Sequence, residues 1–217
     1  MRVAVSDFVA KRRELTPAAL ARTAVERLQS HGAIYVTGEM YSRTARDQSL
    51  ALEYNAGIGK TTWFKNELTP LLLAAFGQVC YFNLEEIIPI NEIMGGKLPA
   101  KDARDCFDQV RSLLVAAGET AQVIALDECH WLFPAIANNT EKAGNLEIFR
   151  FGPSYSPKQS AVWETIDALL ARDKKLVFIS WLHPRDLSLA STGRDPNFAT
   201  IFSAPLFEFE KWEDDDG

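Results

Sequence analysis

Six residues, Gly57-Ile58-Gly59-Lys60-Thr61-Thr62, stand between a run with strand character (Ser49 to Asn55) and one with helical character (Thr62 to Phe76). A strand that turns through glycines into a helix presents backbone N–H groups at the turn, and the helix N-terminus adds partial positive charge. Such a turn suits phosphate oxygens. At this spacing Lys60 reaches β- and γ-phosphates and the Thr61 hydroxyl holds Mg²⁺. The expected phosphate contacts are Asn55, Ala56, Gly57, Ile58, Gly59, Lys60, Thr61 and Thr62. The full pattern carries a further glycine five positions before Gly59, where this chain has Tyr54.

A second motif follows the first. Ala121 to Glu128 reads Ala-Gln-Val-Ile-Ala-Leu-Asp-Glu. A short apolar run ending in two carboxylates is the pattern of a buried parallel strand that delivers acids to its C-terminal edge. Open α/β sheets bind ligands at that edge. Asp127 suits a magnesium site, and Glu128 suits a base that polarises an attacking water. Each motif alone has a plainer explanation, a glycine turn with an exposed lysine or a strand ending in solvated acids. Together, each at a strand end, they point to ATP and Mg²⁺.

Bulk properties restrict the alternatives. A chain of 217 residues with 47% hydrophobic and 24% charged residues fits one globular domain with a sizeable core. No apolar run is long enough to cross a bilayer, and the first residues lack a signal-peptide segment, so a cytoplasmic protein with no membrane partner is expected. The three cysteines, Cys80, Cys106 and Cys129, form no Cys-x-x-Cys pair and read as buried thiols. A net charge of −6 argues against a broad electrostatic grip on nucleic acid. Lys11-Arg12-Arg13 leaves room for a local basic arm on DNA, or equally for a solvated helix face.

Helix and strand signals alternate along the chain. Thr16 and Pro17 open an amphipathic helix over 16–30. Ala33 to Met40 is ambiguous between strand and helix edge. Strands are expected at 49–55, 79–84, 121–127, 176–181 and 206–209, with helices at 62–76, 101–117 and 162–170. Residues 134–160 read as an extended loop or insertion. The expected fold is α/β: a three-layer P-loop NTPase with a parallel sheet of about five strands. The division is an N-terminal helical or linker segment (1–47), an ATPase domain (48–210) and an acidic tail (211–217).

These residues resemble the AAA+ ATPase superfamily, with Asn55 to Thr61 as its Walker A loop and Leu126-Asp127-Glu128 as its Walker B strand end. More narrowly, they resemble the transposition ATPases of mobile elements, typified by the phage Mu B protein and TniB-like relatives. Asp127-Glu128-Cys129-His130-Trp131-Leu132 is similar to that group's Asp-Glu-x-His/Asp-x-Leu, Leu176 to Ser180 occupies the sensor-strand position, and Asp195 to Ser203 resembles the closing segment before the last strand. The resemblance covers residues 45 to 210. It implies an ATP hydrolase with Glu128 and Lys60 as catalytic residues, Thr61 and Asp127 at the metal, and self-association through the ATPase face. It further implies a role with DNA and a transposase-like partner. The chain departs from the family at Tyr54, in the 134–160 segment and in ending just after the fifth expected strand, so that the helical lid is expected to be absent.

In that family a polar residue after the fourth strand senses the γ-phosphate, a place open to Ser180 or His183. An arginine finger is open to Arg185 or Arg194. His130 has no partner at metal-ligand spacing and is expected to steer the segment after it. Trp131, Phe133 and Trp163 are expected in the core, with Trp63 and Phe64 beneath the sheet edge. Two other readings stand beside hydrolysis: a nucleotide-gated interaction module with little turnover, and a P-loop motor of filamentous-phage assembly, which Asp127 to Pro134 also resembles.

Overall fold

The structure is a computed structural model that describes residues 8–12, 14–38, 57–88, 106–132, 157–184 and 203–209. In chain order its elements begin with β1 (Val9–Lys11), α1 (Pro17–His31) and β2 (Ala33–Gly38). A composite helix α2 follows, made of Lys60–Trp63, a π-helical turn Phe64–Leu68, and Thr69–Phe76. Next come β3 (Val79–Asn83), the short α3 (Leu84–Ile87), α4 (Cys106–Thr120) and β4 (Val123–Asp127). The chain closes with a 3₁₀ turn Cys129–Leu132, α5 (Pro157–Ala171), β5 (Lys175–Ile179) and β6 (Leu206–Phe209).

The strands form a single six-stranded sheet in the order β1-β6-β2-β5-β4-β3, every neighbouring pair parallel. One core lies on each face. Leu20, Leu28, Phe64, Leu68 and Leu72 from α1 and α2 pack against Val36, Val123 and Ile179 on one side. Phe107, Leu114, Trp163 and Ile166 from α4 and α5 pack against Tyr35, Ile124 and Phe178 on the other. Each fully buried side chain of this size stabilises the fold by about 1.5–3 kcal/mol. The result is the expected three-layer α/β architecture, with helices on both faces of a parallel sheet. Because all strands run one way, Gly38, Asn83, Asp127 and Ile179 end at the same edge.

The stretch read as an N-terminal helical segment, residues 1–47, supplies β1, α1 and β2 to this sheet. β2 pairs with both β5 and β6 and so occupies the centre. The strand expected at 49–55 lies outside the described residues, as do the 134–156 part of the expected insertion and the acidic tail. Four of the five expected strands are β3 to β6; the other two strands of the sheet are β2, from the ambiguous stretch Ala33 to Met40, and the three-residue β1.

Local chemistry explains the helix that follows the glycine loop. Pro70 has no N–H to give to the turn before it, and a proline inside a helix disrupts the regular ladder. The π-turn absorbs the mismatch: the Phe64 carbonyl accepts both the Thr69 N–H and, at 2.8 Å, the Thr69 hydroxyl. Trp63 fixes the start of α2 by donating its indole N–H to the Pro17 carbonyl at 3.0 Å and packing on Phe207 and Phe209. Phe64 stacks on Tyr81. Both aromatics are thus buried under the sheet edge where the sequence put them, and Trp131 and Trp163 are likewise in the core. Phe133 lies outside the described residues. Cys129 is buried as expected, Cys80 and Cys106 are only half-buried, and none of the three is in a disulfide.

Candidate functional site: the glycine loop and the β4 carboxylates

Gly57 and Gly59 both sit at positive φ, 73° and 89°. A side chain is strained in that region, which is why glycine belongs there. Among the described residues no atom lies within 4 Å of where a Cβ would stand at either position. The glycines therefore serve the backbone bend and leave open space around it. Gly59 caps α2, its carbonyl accepting from the Trp63 N–H at 2.8 Å, and Lys60 is the first helical residue. The helix thus starts two residues earlier than the sequence suggests, and its first turn holds Lys60, Thr61 and Thr62.

Lys60 is buried, only 7% exposed, beside the ends of β4. Burial pushes its ammonium down from the ordinary lysine value, against the pull of Glu128 and Asp127. Burial pushes the Glu128 carboxyl up, reinforced by Asp127 and Glu85 and opposed by Lys60. These are opposite charges held in one poorly solvated space, each made less stable by burial and more stable by the other.

Asp127 joins the two motifs. Its Oδ2 accepts from the Thr61 hydroxyl at 2.7 Å and from the Tyr81 hydroxyl at 2.7 Å, while Oδ1 accepts from the Glu128 N–H at 2.9 Å. Glu128 itself has φ 55°, uncommon for a residue with a side chain. Its Oε2 is buried and has no hydrogen-bond partner among the described residues, with His130 Nδ1 3.3 Å away. Thr61 and Asp127 are hard oxygen donors side by side, the set Mg²⁺ takes when phosphates and water complete its shell. Among the described residues no group of three or more His, Cys, Asp or Glu comes together as a metal cage.

Of the predicted site residues, Gly57, Ile58, Gly59, Lys60, Thr61 and Thr62 line the loop and first turn, and Asp127 and Glu128 face them from β4. Asn55, Ala56, Arg185 and Arg194 lie outside the described residues. Ser180 is fully buried one strand away. It donates its N–H to the Val36 carbonyl, and its hydroxyl contacts His130 Nδ1 at 3.3 Å and accepts from the Leu182 N–H at 2.9 Å. His183, the alternative sensor, sits 3.0 Å from Glu208 Oε1 in a buried contact between the end of β5 and β6.

Sequence reasoning missed two partners. Tyr81 reaches Asp127 from the neighbouring strand, and burial followed by that hydrogen bond holds its phenol protonated. Its only signal is register: Tyr81 lies two residues before the end of β3, a separation no motif encodes. Tyr81→Phe removes one donor from a charged acceptor. It should lower unfolding stability by roughly 1 kcal/mol and leave the fold intact, as read by urea unfolding. The second miss is a cleft of about 280 Å³ next to the loop, lined by Arg12, Pro17, Ile58, Thr62, Trp63 and Phe209 among others. It brings the N-terminal stretch to the phosphate loop, a contact invisible in sequence because β1 is so short.

No helix among the described residues is long and apolar enough to cross a membrane. No family model matches the sequence, and no curated protein matches it. Solved structures with a similar fold include domain III of the Thermotoga maritima replication initiation protein DnaA (14% identity, TM-score 0.45, covering 88% of this chain and 60% of that one). Others are the replication initiator DnaA bound to AMPPCP and single-stranded DNA (15%, 0.47, 88% and 44%) and AMPPCP-bound DnaA from Aquifex aeolicus (14%, 0.46, 87% and 45%). This chain therefore spans between 44% and 60% of the length of the chains it resembles.

Proposed function

We propose that the chain is an AAA+-type P-loop ATPase that binds ATP with Mg²⁺ and hydrolyses it. The observation that carries this reading is the 2.7 Å contact from Thr61 to Asp127, which brings the glycine loop and the β4 acids into one site with Lys60 buried beside them. The loop N–H groups and Lys60 take the phosphate oxygens, and the adjoining cleft between Arg12, Asn66 and Trp63 takes the base. Thr61 and Asp127 would hold magnesium, which would supply charge neutralisation of the phosphates.

Charge grows on the transferring and leaving oxygens during hydrolysis. A fixed Lys60 and fixed backbone N–H groups stabilise it without reorganising, which is where most of the rate enhancement of such sites comes from. Glu128 orients the attacking water and accepts its proton. The raised affinity of Glu128 for a proton suits that task, while the Lys60 ammonium beside it keeps the carboxylate available. Turnover needs self-association, since arginine fingers usually arrive from a neighbouring subunit.

The output is control of DNA transposition or a related mobile-element task, a reading that rests on the likeness of Asp127 to Leu132 and Asp195 to Ser203 to transposition ATPases. Tyr54 in place of the first loop glycine favours a second reading, a nucleotide-gated interaction module with little turnover. Calorimetric titration with ATP, with and without Mg²⁺, tests the site: magnesium-dependent binding is expected, and no binding under either condition rejects it. Phosphate release over many turnovers, with light scattering in ATP, ADP and added DNA, separates the two readings.

A further inference from the structure

His130 takes no part in the chemistry assigned to the site so far, yet it is wholly buried with Nδ1 3.3 Å from Glu128. Its ring is wedged between Trp131 and Trp181, with centroids 4.7 and 4.8 Å away. The Trp181 indole N–H donates to His130 Nε2 at 3.0 Å. An indole has no acceptor to offer, so Nε2 carries the lone pair. Burial, with Lys60 nearby, holds the imidazole neutral. A neutral ring whose Nε2 accepts must carry its proton on Nδ1.

That Nδ1 lies 3.3 Å from Ser180 Oγ and 3.3 Å from Glu128 Oε2. Hydrogen-bond geometry is met toward the serine. The Glu128 oxygen is buried and unmet. A buried carboxylate oxygen without a donor is costly, and a small pivot of the ring toward Glu128 gives it one. On the serine side the arrangement continues: Ser180 Oγ accepts from the Leu182 N–H, and the Leu182 carbonyl accepts from the Tyr35 hydroxyl of central strand β2 at 3.0 Å.

We propose that His130 is a positioning residue whose single Nδ1 proton, placed between Ser180 Oγ and Glu128 Oε2, holds the hydrolytic carboxylate and ties it to the turn after β5. The role of Glu128 rests on the ATPase reading; the proton position does not. The arrangement also gives Ser180 a role other than direct phosphate contact. It is the alternative acceptor for the proton on His130 Nδ1.

Two measurements test this. The first is ¹⁵N NMR of the three histidine rings in nucleotide-free protein, with His130 assigned by its loss in His130→Asn. A neutral ring protonated at Nδ1 is expected, and one protonated at Nε2 overturns the proposal. The second compares His130→Asn, whose amide restores a donor near Nδ1, with His130→Gln, whose amide oxygen restores only the acceptor for Trp181. His130→Gln should lower kcat by about ten- to a hundredfold with KM for ATP unchanged, and His130→Asn should recover most of it. Wild-type kcat in His130→Gln, or equal losses of kcat, KM and melting temperature in both variants, overturns the positioning role. A wild-type protein that fails to bind ATP instead rejects the nucleotide reading, and the NMR result still decides the proton.

Discussion

Glu128→Gln should bind ATP with Mg²⁺ close to the wild-type affinity and release phosphate over many turnovers roughly a hundredfold to ten-thousandfold more slowly, the range spanned by general bases. Glutamine keeps the shape of the side chain and removes its ability to accept a proton from water. The substitution should not destabilise the fold. Burial, Asp127 and Glu85 all raise the Glu128 carboxyl, so the ionised form is the one the folded site disfavours. A neutral amide at this place relieves like charge against Asp127, and the melting temperature should equal or exceed that of the wild type. The pairing of retained binding, retained stability and lost turnover is what separates a catalytic carboxylate from a structural one. Unchanged turnover would remove Glu128 from the mechanism.

How much of this site could be read without coordinates depends on the range of the interactions. The glycine loop is legible because positive φ at Gly57 and Gly59 is a local demand that one residue type meets. Asp127 and Glu128 are legible because an apolar run ending in acids is itself the signature of a buried strand end. The α1 helix was readable from Thr16, Pro17 and Gly32, which cap it as their chemistry dictates. β2 was not, and the reason is physical. All six of its residues are buried, so the alternation that marks a half-exposed strand is gone. The strand expected instead, next to the loop in sequence, lies outside the described residues. β1 is too short to carry any period. Tyr81 and His130 reach partners 46 and 50 residues away, and no local pattern announces contacts of that span.

Lys60→Ala should weaken ATP affinity by about tenfold to a hundredfold or more, the equivalent of losing charge-assisted hydrogen bonds worth roughly 1.5–3 kcal/mol. Two effects compete in the nucleotide-free protein. Removing the ammonium ends its own burial cost, which outweighs its attraction to the acids, since its proton affinity is lowered overall. Against that, Asp127 and Glu128 lose the positive charge of Lys60. Because these oppose, unfolding stability should change far less than affinity, and the binding loss is not a folding artefact. Lys60→Arg sharpens the test. A planar guanidinium cannot replace a compact ammonium in a space that leaves the lysine only 7% exposed, so charge alone should not restore binding. A Lys60→Ala protein that binds ATP as tightly as the wild type would mean that the phosphates do not rest on this loop.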